Sequence, residues 1–416
     1  MHMAIYQPAC HARSLCWLIV AWFCLLSSAG FASHPVPNPA NTSGSTDESR
    51  ATALAKESTP TTAVTTPKRS FISKAWGQFT GDGDPKDIGL LVYPTIAYAP
   101  ETQWDFGFSA VYVYYAENDP KNRLSELSGF AFVTQAKQYG MWLEHTLYSD
   151  KNKWFFFGRA TAQSFPMQFF GVGEATRKDP VALIEGNFVL VRERVLRELR
   201  KNVYFGLNFD LQHLGSARYV ANPDYEDRQA PLGATGSTNF GIGLGFIYDT
   251  RHNPMNVRNG LMAEVGLLGY PSWTSTFPMG AAYFDGRACF SLSATQVIGF
   301  QVRGDFTFGE SVPFNQLSQL GGAMMMRGYY TGRFRDRNAL TAQVEYRILP
   351  LWWRFGVATF ASIGSVANDL GFDTWHWSVG GGPRFLLFPL KDIYMRIDFG
   401  FTTEQWGTYF YVGESF

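Results

Sequence analysis

The sequence predicts an all-β fold, a 16-stranded antiparallel transmembrane β-barrel. Three observations predict it: strands that alternate between an apolar and a polar face, a composition poor in charge, and connections that alternate between short and long. Charged residues make up 17% and aromatic residues 16% of the chain, whereas soluble proteins carry roughly 25% charged residues. The formal net charge is zero, which excludes the basic field that a nucleic-acid-binding protein needs.

The residues before the barrel are expected to form three parts. Residues 1–32 have the pattern of a signal peptide, because a basic residue precedes the apolar run LCWLIVAWFCLL and small residues up to Ala32 offer a cleavage site. Residues 33–70 are rich in Ser, Thr and Pro, a composition that cannot build a core and predicts a disordered linker. Residues 71–87 lead into the barrel, either as a plug in the lumen or as an ordered tail. Removal of the signal peptide leaves Cys289 alone, so no intramolecular disulfide is expected.

The stretch NFGIGLGFIYD shows the strand alternation most clearly. Phe240, Ile242, Leu244, Phe246 and Tyr248 fall on one face, and three glycines fall on the other. The stretches GLMAEVGLL, TAQVEYRI and YMRIDFGF repeat the pattern, with charged residues among the polar positions. A soluble β-sandwich also alternates, but here the apolar face is continuous and aromatic, which is typical of an outer-membrane barrel. Backbone groups in lipid must be paired, so the sheet must close.

Sixteen strands are predicted within residues 88–416, and bacterial single-chain barrels have even strand numbers. Connections after even-numbered strands are mostly short, as in SDKNK and PLKD, whereas several after odd-numbered strands are long, as at 217–236, 311–338 and 366–374. Short periplasmic turns and long outer loops are typical of such barrels. The predicted strands are 88–99, 104–117, 124–136, 139–149, 153–165, 181–197, 202–216, 237–249, 260–271, 279–292, 297–310, 339–349, 353–365, 375–388, 393–403 and 407–416.

No constellation of catalytic residues stands out. The histidines that follow the signal peptide are scattered without the spacing of metal ligands. No Gly-x-Ser-x-Gly motif occurs, and the glycine-rich stretch 241–245 lies inside an alternating strand instead of preceding a helix. We therefore expect no enzymatic activity, no metal and no cofactor.

Several motifs occur in the order that one known family has. MRGYY resembles a [Val/Ile]-Arg-Gly-[Phe/Tyr] motif, and GGGPRF resembles a Gly-x-Gly-x-Arg strand. The stretches YDTRHNPMNVRNGLMAEV, AQVEYR, MRIDFG and YFYVGESF follow the same family order. Over residues 88–416 the chain thus resembles the BamA/TamA outer-membrane superfamily, also called the bacterial surface antigen family. The residues that carry the first two motifs are Arg327, Gly328, Tyr329, Gly380, Gly382 and Arg384.

The resemblance implies that Arg327, in the sixth outer loop, folds into the lumen and meets acids on strands 12 and 13. Glu345 corresponds to the acid on strand 12. The family's strand-13 motif is Phe-x-Asp-x-Gly, and in FASIG the residues Phe360 and Gly364 match it. Ser362 stands where the family has Asp, so half of the expected acid pair is missing.

Alternation offers a substitute for the missing acid. Asp398 on strand 15 faces inward in the predicted pattern, as Asp305 does on strand 11. For the three remaining arginines of the loop two interpretations stay open. They either face the lumen, or they lie in a solvated outer loop and face lipopolysaccharide phosphates; they are Arg333, Arg335 and Arg337.

Aromatic residues mark the end of the barrel. Phe410, Val412 and Phe416 fit the spacing of the C-terminal assembly signal of outer-membrane barrels, although Glu414 departs from it. We therefore expect the barrel assembly machinery to receive this protein as a client. Trp352 lies beside a predicted periplasmic turn, a position typical of the interfacial aromatic girdle.

The resemblance implies a role in inserting or translocating proteins, or lipids, at the bacterial outer membrane. No POTRA domain fits before the first strand, which is typical of the barrel-only branch of the superfamily. In the implied mechanism the first and last strands pair weakly, and Pro94 in strand 1 would weaken pairing on one side. The expected partners are outer-membrane lipid, lipopolysaccharide and client outer-membrane proteins. The alternatives are a transport or structural pore barrel that has lost insertase activity, and a surface adhesin or receptor.

Overall fold

A computed structural model of the protein describes residues 70–99, 103–135, 137–225 and 229–416. The predicted signal peptide and all of the predicted linker except Ser70 lie outside the described residues. The chain from Ile72 to Phe416 forms one compact unit.

The described chain is built mainly from an antiparallel β-sheet. Its elements are helix α1 (Phe71–Thr80) and strands β1 (Gly89–Ala99), β2 (Gln103–Tyr115), β3 (Leu124–Thr134), β4 (Tyr139–Tyr148), β5 (Trp154–Ser164), β6 (Met167–Phe169), β7 (Ala182–Arg200), β8 (Val203–Ala221), β9 (Ser237–Asp249), β10 (Gly260–Tyr270), β11 (Met279–Ser291), β12 (Gln296–Phe308), β13 (Ser318–Leu320), β14 (Phe334–Asp336), β15 (Asn338–Trp352), β16 (Phe355–Ala367), β17 (His376–Phe388), β18 (Ile393–Phe401) and β19 (Trp406–Val412). β5 and β6 both pair with β7, so they form one interrupted wall strand. β13 and β14 form a separate two-stranded sheet. The described wall therefore has the sixteen strands that the sequence predicts.

The wall is a simple meander, because each strand pairs with the next one along the chain. Most predicted strand ends agree with the structure to within a few residues. β7 and β8 continue to Arg200 and Ala221, past the predicted ends at 197 and 216. The prediction for the last strand is wrong at its end, since β19 stops at Val412 instead of reaching 416. Gly413 adopts φ +89°, a conformation that glycine tolerates and that turns the chain out of the strand.

The two faces of the strands differ as the alternation predicts. On β9, Ile242, Leu244 and Phe246 are 42%, 49% and 43% exposed, whereas Asn239 and Asp249 are fully buried. Large apolar side chains on an outer surface suit contact with lipid, and the inward positions carry the polar groups. The barrel is therefore apolar outside and polar inside.

The barrel has a seam between its first and last strands. Among the described residues, β1 pairs by backbone hydrogen bonds with β2 and β19 pairs with β18, and no pairing joins β1 to β19. The ring centres of Tyr93 on β1 and Phe410 on β19 are 5.5 Å apart. Leu91 and Val412 pack on one apolar cluster. Pro94 lies within β1, in continuous register with β2, as is usual for proline on an edge strand.

A helix precedes the barrel, and the all-β prediction did not include it. Lys74 on α1 forms a 2.8 Å ion pair with Asp87, which folds the helix back toward the chain that enters β1. The segment contacts short turns at Arg354 and Lys391, at the end of the barrel that we assign to the periplasm because its turns are short. In the part of the chain that the structure describes, no helix has the length and apolar character needed to cross a membrane.

Candidate functional site: an arginine cluster in the lumen

The loop between β12 and β15 (residues 309–337, here loop 6) folds back onto the inner wall. Its strands β13 and β14 pair with each other, and between them Gly328 adopts φ +111°. A Cβ atom on Gly328 would lie 2.7 Å from Thr402 Cγ2, and one on Gly400 would lie 2.5 Å from the backbone of Arg327. Glycine at both positions thus allows the loop backbone to touch β18. This contact delivers the Arg327 side chain into the lumen.

Arg327 is completely buried and makes two ion pairs. Its Nη2 lies 2.7 Å from Glu345 Oε2 on β15, and its Nη1 lies 2.6 Å from Asp398 Oδ2 on β18. The guanidinium carbon lies 3.4 Å from the centre of the Phe360 ring on β16, a cation–π contact. A buried guanidinium is costly unless it is paired on several sides, and here three wall strands provide the partners.

Three more buried arginines join the same acids. Arg347 Nε lies 2.7 Å from Glu345 Oε1. Arg384 Nη1 lies 2.7 Å from Asp398 Oδ1, and its Nε lies 3.0 Å from Glu414 Oε2. Arg396 pairs with Asp398. We call this group the arginine cluster; its members are Arg327, Arg347, Arg384, Arg396, Glu345, Asp398 and Glu414.

Four guanidinium groups in the cluster therefore meet three carboxylate side chains. Neutral acceptors complete the set: Gln343 Oε1 accepts a 3.4 Å hydrogen bond from Arg327, and the main-chain oxygen of Phe416 accepts one of 2.9 Å from Arg347. Ser362, where the resemblance implies a second acid, is buried, and its hydroxyl has no hydrogen-bond partner among the described residues. The acid that pairs with Arg327 in addition to Glu345 is Asp398, on a different strand.

The predicted glycines mainly make room for the cluster, although the Gly382 carbonyl also accepts a 3.2 Å hydrogen bond from Arg384 Nη1. A Cβ atom on Gly380 would overlap the Phe360 ring and the carbonyl oxygen of Phe399, and one on Gly382 would overlap the carbonyl oxygen of Ile397. Gly380 and Gly382 therefore allow β17 to pass close to β18 and to the ring beneath Arg327. Gly364 plays a similar part at the outer end of β16, where Leu320 and Met326 of loop 6 lie 3.1 Å and 3.3 Å from its Cβ position.

The remaining predicted residues lie outside the cluster. Tyr329 is buried against Phe334 and His376 and makes no ion pair. Asp305, the other inward acid of the prediction, pairs with Arg303 at 2.7 Å and not with Arg327.

Two of the outer loop arginines are buried, so the interpretation as solvated side chains facing lipopolysaccharide is wrong for them. Arg333 forms a bidentate pair with Glu404, at 2.6 Å and 2.9 Å, in the hairpin before β19. Arg335 donates to the carbonyls of Gly332 and Phe314, and burial lowers its pKa to about 10. Arg337 is partly exposed and donates to the carbonyls of Gly309 and Glu310.

The last four residues (413–416, here the C-terminal tail) complete the cluster from inside the barrel. Besides the contact of Glu414 with Arg384, the Ser415 hydroxyl lies 3.0 Å from Glu345 Oε2. The Phe416 ring packs with Val257, Cys289 and Val297. Phe410 and Val412 stay on β19, so Phe416 does not share their strand, and the assembly signal stays a prediction.

The turn between β9 and β10 (residues 250–259, here the floor segment) crosses the periplasmic end of the lumen. Asn253 Nδ2 donates to the Lys391 carbonyl at 2.8 Å, and Arg258 forms two 2.7 Å bonds with the Asp392 carboxylate. The Glu414 amide donates to the Met255 carbonyl at 2.7 Å. The floor segment thus connects the turn before β18 with the C-terminal tail, beneath the arginine cluster.

Sequence reasoning identified Arg327, Glu345, Asp398 and Arg384 but missed three members of the cluster. Arg347 and Arg396 lie on the polar faces of the stretches TAQVEYRI and YMRIDFGF, so their inward direction was visible but not their common partners. Glu414 was noticed only as a departure from an apolar spacing. A charged residue at an otherwise apolar position indicates that the chain turns inward at Glu414.

Comparison with known proteins gives the family. A model described as "Omp85 superfamily domain" matches residues 183–415, more than half of the chain. No curated protein matches significantly. Among solved structures, BamA from Haemophilus ducreyi lacking POTRA domains 1–3 is 12% identical with a TM-score of 0.49, over 78% of this chain and 70% of that one. CdiB from Acinetobacter baumannii is also 12% identical with a TM-score of 0.49, over 78% of this chain and 59% of that one. The family match establishes that this chain belongs to the Omp85 superfamily.

Proposed function

We propose that this protein is a barrel of the bacterial outer membrane that assists the insertion or translocation of proteins, or lipids, through its seam. The observation that carries the proposal is the absence of backbone pairing between β1 and β19 among the described residues. Membership of the Omp85 superfamily supports this proposal. The resemblance to the BamA/TamA superfamily implies a role in insertion or translocation.

An unpaired strand edge can template another strand. The N–H and C=O groups that face the seam are free to pair with an incoming chain, which is the chemistry of β-augmentation. β1 is 11 residues long, whereas β19 has 7, so the longer free edge belongs to β1. An incoming strand would thus pair with β1 first. Apolar side chains on the β19 edge, such as Phe410, would move away from β1 at the same time.

The arginine cluster keeps the wall beside the seam in shape. The Gly328 amide donates to Tyr409 Oη on β19 at 2.8 Å, and Arg327 binds Asp398 on β18. Loop 6 therefore holds the last two strands from inside, although no described strand pairs with the other edge of β19. In this proposal Arg327 has no catalytic role; it positions the edge at which a client would pair.

The proposal is tested by closing the seam covalently. The purified barrel, without its predicted signal peptide and with Cys289 replaced by Ala, is reconstituted in liposomes with unfolded client barrels. We expect faster client folding than in empty liposomes. A short bifunctional thiol reagent across Tyr93→Cys and Phe410→Cys should abolish the acceleration.

A matched control joins two strands that already pair. Leu267→Cys and Ala282→Cys are in register on β10 and β11, so the same reagent should leave client folding unchanged. Equal acceleration with the seam closed, or no acceleration by the unmodified barrel, would contradict the proposal.

A pore or structural barrel is the second candidate, and Ser362 favours it. Ser362 lies on β16, where the resemblance implies an acid. A barrel without insertase activity would tolerate the loss of this acid. Steady solute conductance in planar bilayers, with no effect on client folding, would support this candidate. The floor segment and loop 6 both occupy the lumen, so the proposed insertase should conduct poorly.

A further inference from the structure

The segment that precedes β1 reaches across the seam at its periplasmic end. Residues 72–87, here the seam strap, run directly into β1 at Gly89. Two of their polar partners, Arg354 and Lys391, lie on the opposite side of the seam from β1. Arg354 lies in the turn between β15 and β16, and Lys391 lies in the turn between β17 and β18. The strap therefore passes β19 and connects the two sides that no backbone pairing joins among the described residues.

Arg354 fastens the helical part of the strap. Its Nη1 donates to the Phe79 carbonyl at 2.8 Å, and its Nη2 donates to the Thr80 carbonyl at 2.7 Å. These carbonyls end α1, where helix carbonyls lack partners within the helix and carry a partial negative charge. The same guanidinium lies 5.6 Å from the Phe79 ring and 5.8 Å from the Trp353 ring. All of its described side-chain contacts are thus with the strap or with its own turn.

A second fastening lies nearer to β1. Lys391 Nζ donates to the Pro85 carbonyl at 2.7 Å. At the first fastening, the Phe79 side chain packs on the apolar cluster that contains Leu387 and Phe388 from β17 and Val113 from β2. This cluster includes side chains from both sides of the seam, and Phe79 covers it from the periplasmic end.

The strap is a folded unit and not an extended linker. The Gly81 and Gly83 amides both donate to the Gly77 carbonyl, at 3.0 Å and 2.9 Å. The Lys74–Asp87 ion pair joins its two ends. A Cβ atom on Gly83 would lie 2.8 Å from the Gly77 carbonyl carbon, so the hairpin-like fold requires glycine there. A preformed unit can dock and release as a whole.

We propose that the seam strap fastens the periplasmic end of the seam, and that its release precedes any opening of the β1 edge. This inference rests on the proposed function for its biological meaning, but the fastening itself is independent of any client. Three hydrogen bonds to backbone carbonyls and one partly buried ring, that of Phe79, hold the strap. Such contacts are individually weak, which suits a device that opens reversibly.

Hydrogen–deuterium exchange of the whole barrel in lipid nanodiscs tests the inference. Arg354→Ala removes both bonds to α1, and we expect the β1 and β19 amides to exchange about tenfold faster, since loss of two charge-assisted hydrogen bonds raises the open population by about that factor or more. The β7 and β8 amides, on the far side of the barrel, should not change. Arg337→Ala is the matched control, because Arg337 also donates to two backbone carbonyls, those of Gly309 and Glu310, but in the outer loop.

A second variant guards against a folding defect. Lys391→Met removes the other fastening and should accelerate exchange in the same two strands. Unchanged β1 exchange in both variants would overturn the inference, as would equal acceleration throughout the barrel. Exchange does not require a client, so faster exchange without any client folding would support the strap while contradicting the proposed insertase.

Discussion

The Arg327 guanidinium carbon lies over the ring of Phe360, 3.4 Å from its centre. Phe360 and Gly364 match the motif that the resemblance implies for β16, and Ser362 stands where that motif has an acid. The ring still receives the arginine, while the counter-charge comes from Glu345 and from Asp398 on a more distant strand. Arg327 therefore meets Glu345, as the resemblance implies, and takes its second counter-charge from β18.

Asp398 should matter more to stability than Arg327 does. Asp398 pairs with Arg327, Arg384 and Arg396, so Asp398→Asn should cost about 3–5 kcal/mol, as expected when a buried pair loses one partner. Arg327→Met should cost less, since its acids keep other arginines. Urea unfolding of the purified barrel in detergent micelles measures both. No loss of stability in Arg327→Met would show that the arginine does not hold the lumen together.

Ser362→Asp should rescue Asp398→Asn. Ser362 is paired in register with Gln343, which accepts a hydrogen bond from Arg327, so an acid there should return one counter-charge to the cluster. We expect the double variant to recover about half or more of the lost stability, because coupled neighbours depart strongly from additivity. A double-mutant cycle measured by urea unfolding gives the coupling energy.

The matched control for this rescue is Ser237→Asp. Ser237 on β9 is also buried with an unpartnered hydroxyl among the described residues. An acid at that position should lower stability, since it lies outside the arginine cluster. If both serine variants rescue Asp398→Asn equally, the effect is one of net charge and not of position.

Phe416→Ala should destabilise the folded barrel itself. The Phe416 ring is 2% exposed and packs with Val257, Cys289 and Val297, so its loss should cost about 3–5 kcal/mol by cavity formation. Phe410→Ala is the control, because Phe410 faces outward and is 40% exposed. Urea unfolding of the two purified variants separates packing from assembly in cells. Equal stability of the two would leave Phe416 with the role of a signal alone.

Lys391 should make the barrel more stable as the pH rises. Burial lowers its pKa to about 8, against the raising effects of Asp87 and Asp84, while the unfolded chain keeps the ordinary value of 10.5. Below about pH 8 both states are protonated and the burial cost is fully present; between about 8 and 10.5 the native state alone loses its proton, so stability increases. The unfolding midpoint of the wild type should thus rise relative to that of Lys391→Met between about pH 7 and about pH 9.5. A difference that stays constant with pH would contradict this assignment.

Alternation along single strands made most of the wall predictable. β9 was predicted as 237–249 and observed as Ser237–Asp249, because each strand records locally which face meets lipid. The C-terminal tail was missed since Gly413 breaks the alternation, and the apolar spacing through Val412 suggested that the strand continued. Helix α1 was missed because ten residues containing Gly77 are too few for a stable isolated helix. The helix is held by Arg354 and by the apolar cluster on which Phe79 packs, and these residues lie far away in the sequence.

The candidate site was predictable only in part, for a related reason. Which residues face the lumen follows from alternation, and the resemblance singled out Arg327 and Glu345. Which of the inward residues meet depends on strand register and on the shape of the barrel. The contacts of Arg347, Arg396 and Glu414 could therefore not be derived, although each inward direction was visible. The seam strap depends on a contact between residues more than 270 positions apart, which no local pattern records.

The inward turn of the C-terminal tail has a practical consequence for handling this protein. The main-chain oxygen of Phe416 is bonded to Arg347 in the interior, so any residue attached after Phe416 would begin inside the lumen. An affinity tag fused there would compete for space with the floor segment and disturb the charges it meets. A tag is better placed in the outer loop between β16 and β17, where Leu370 is 72% exposed.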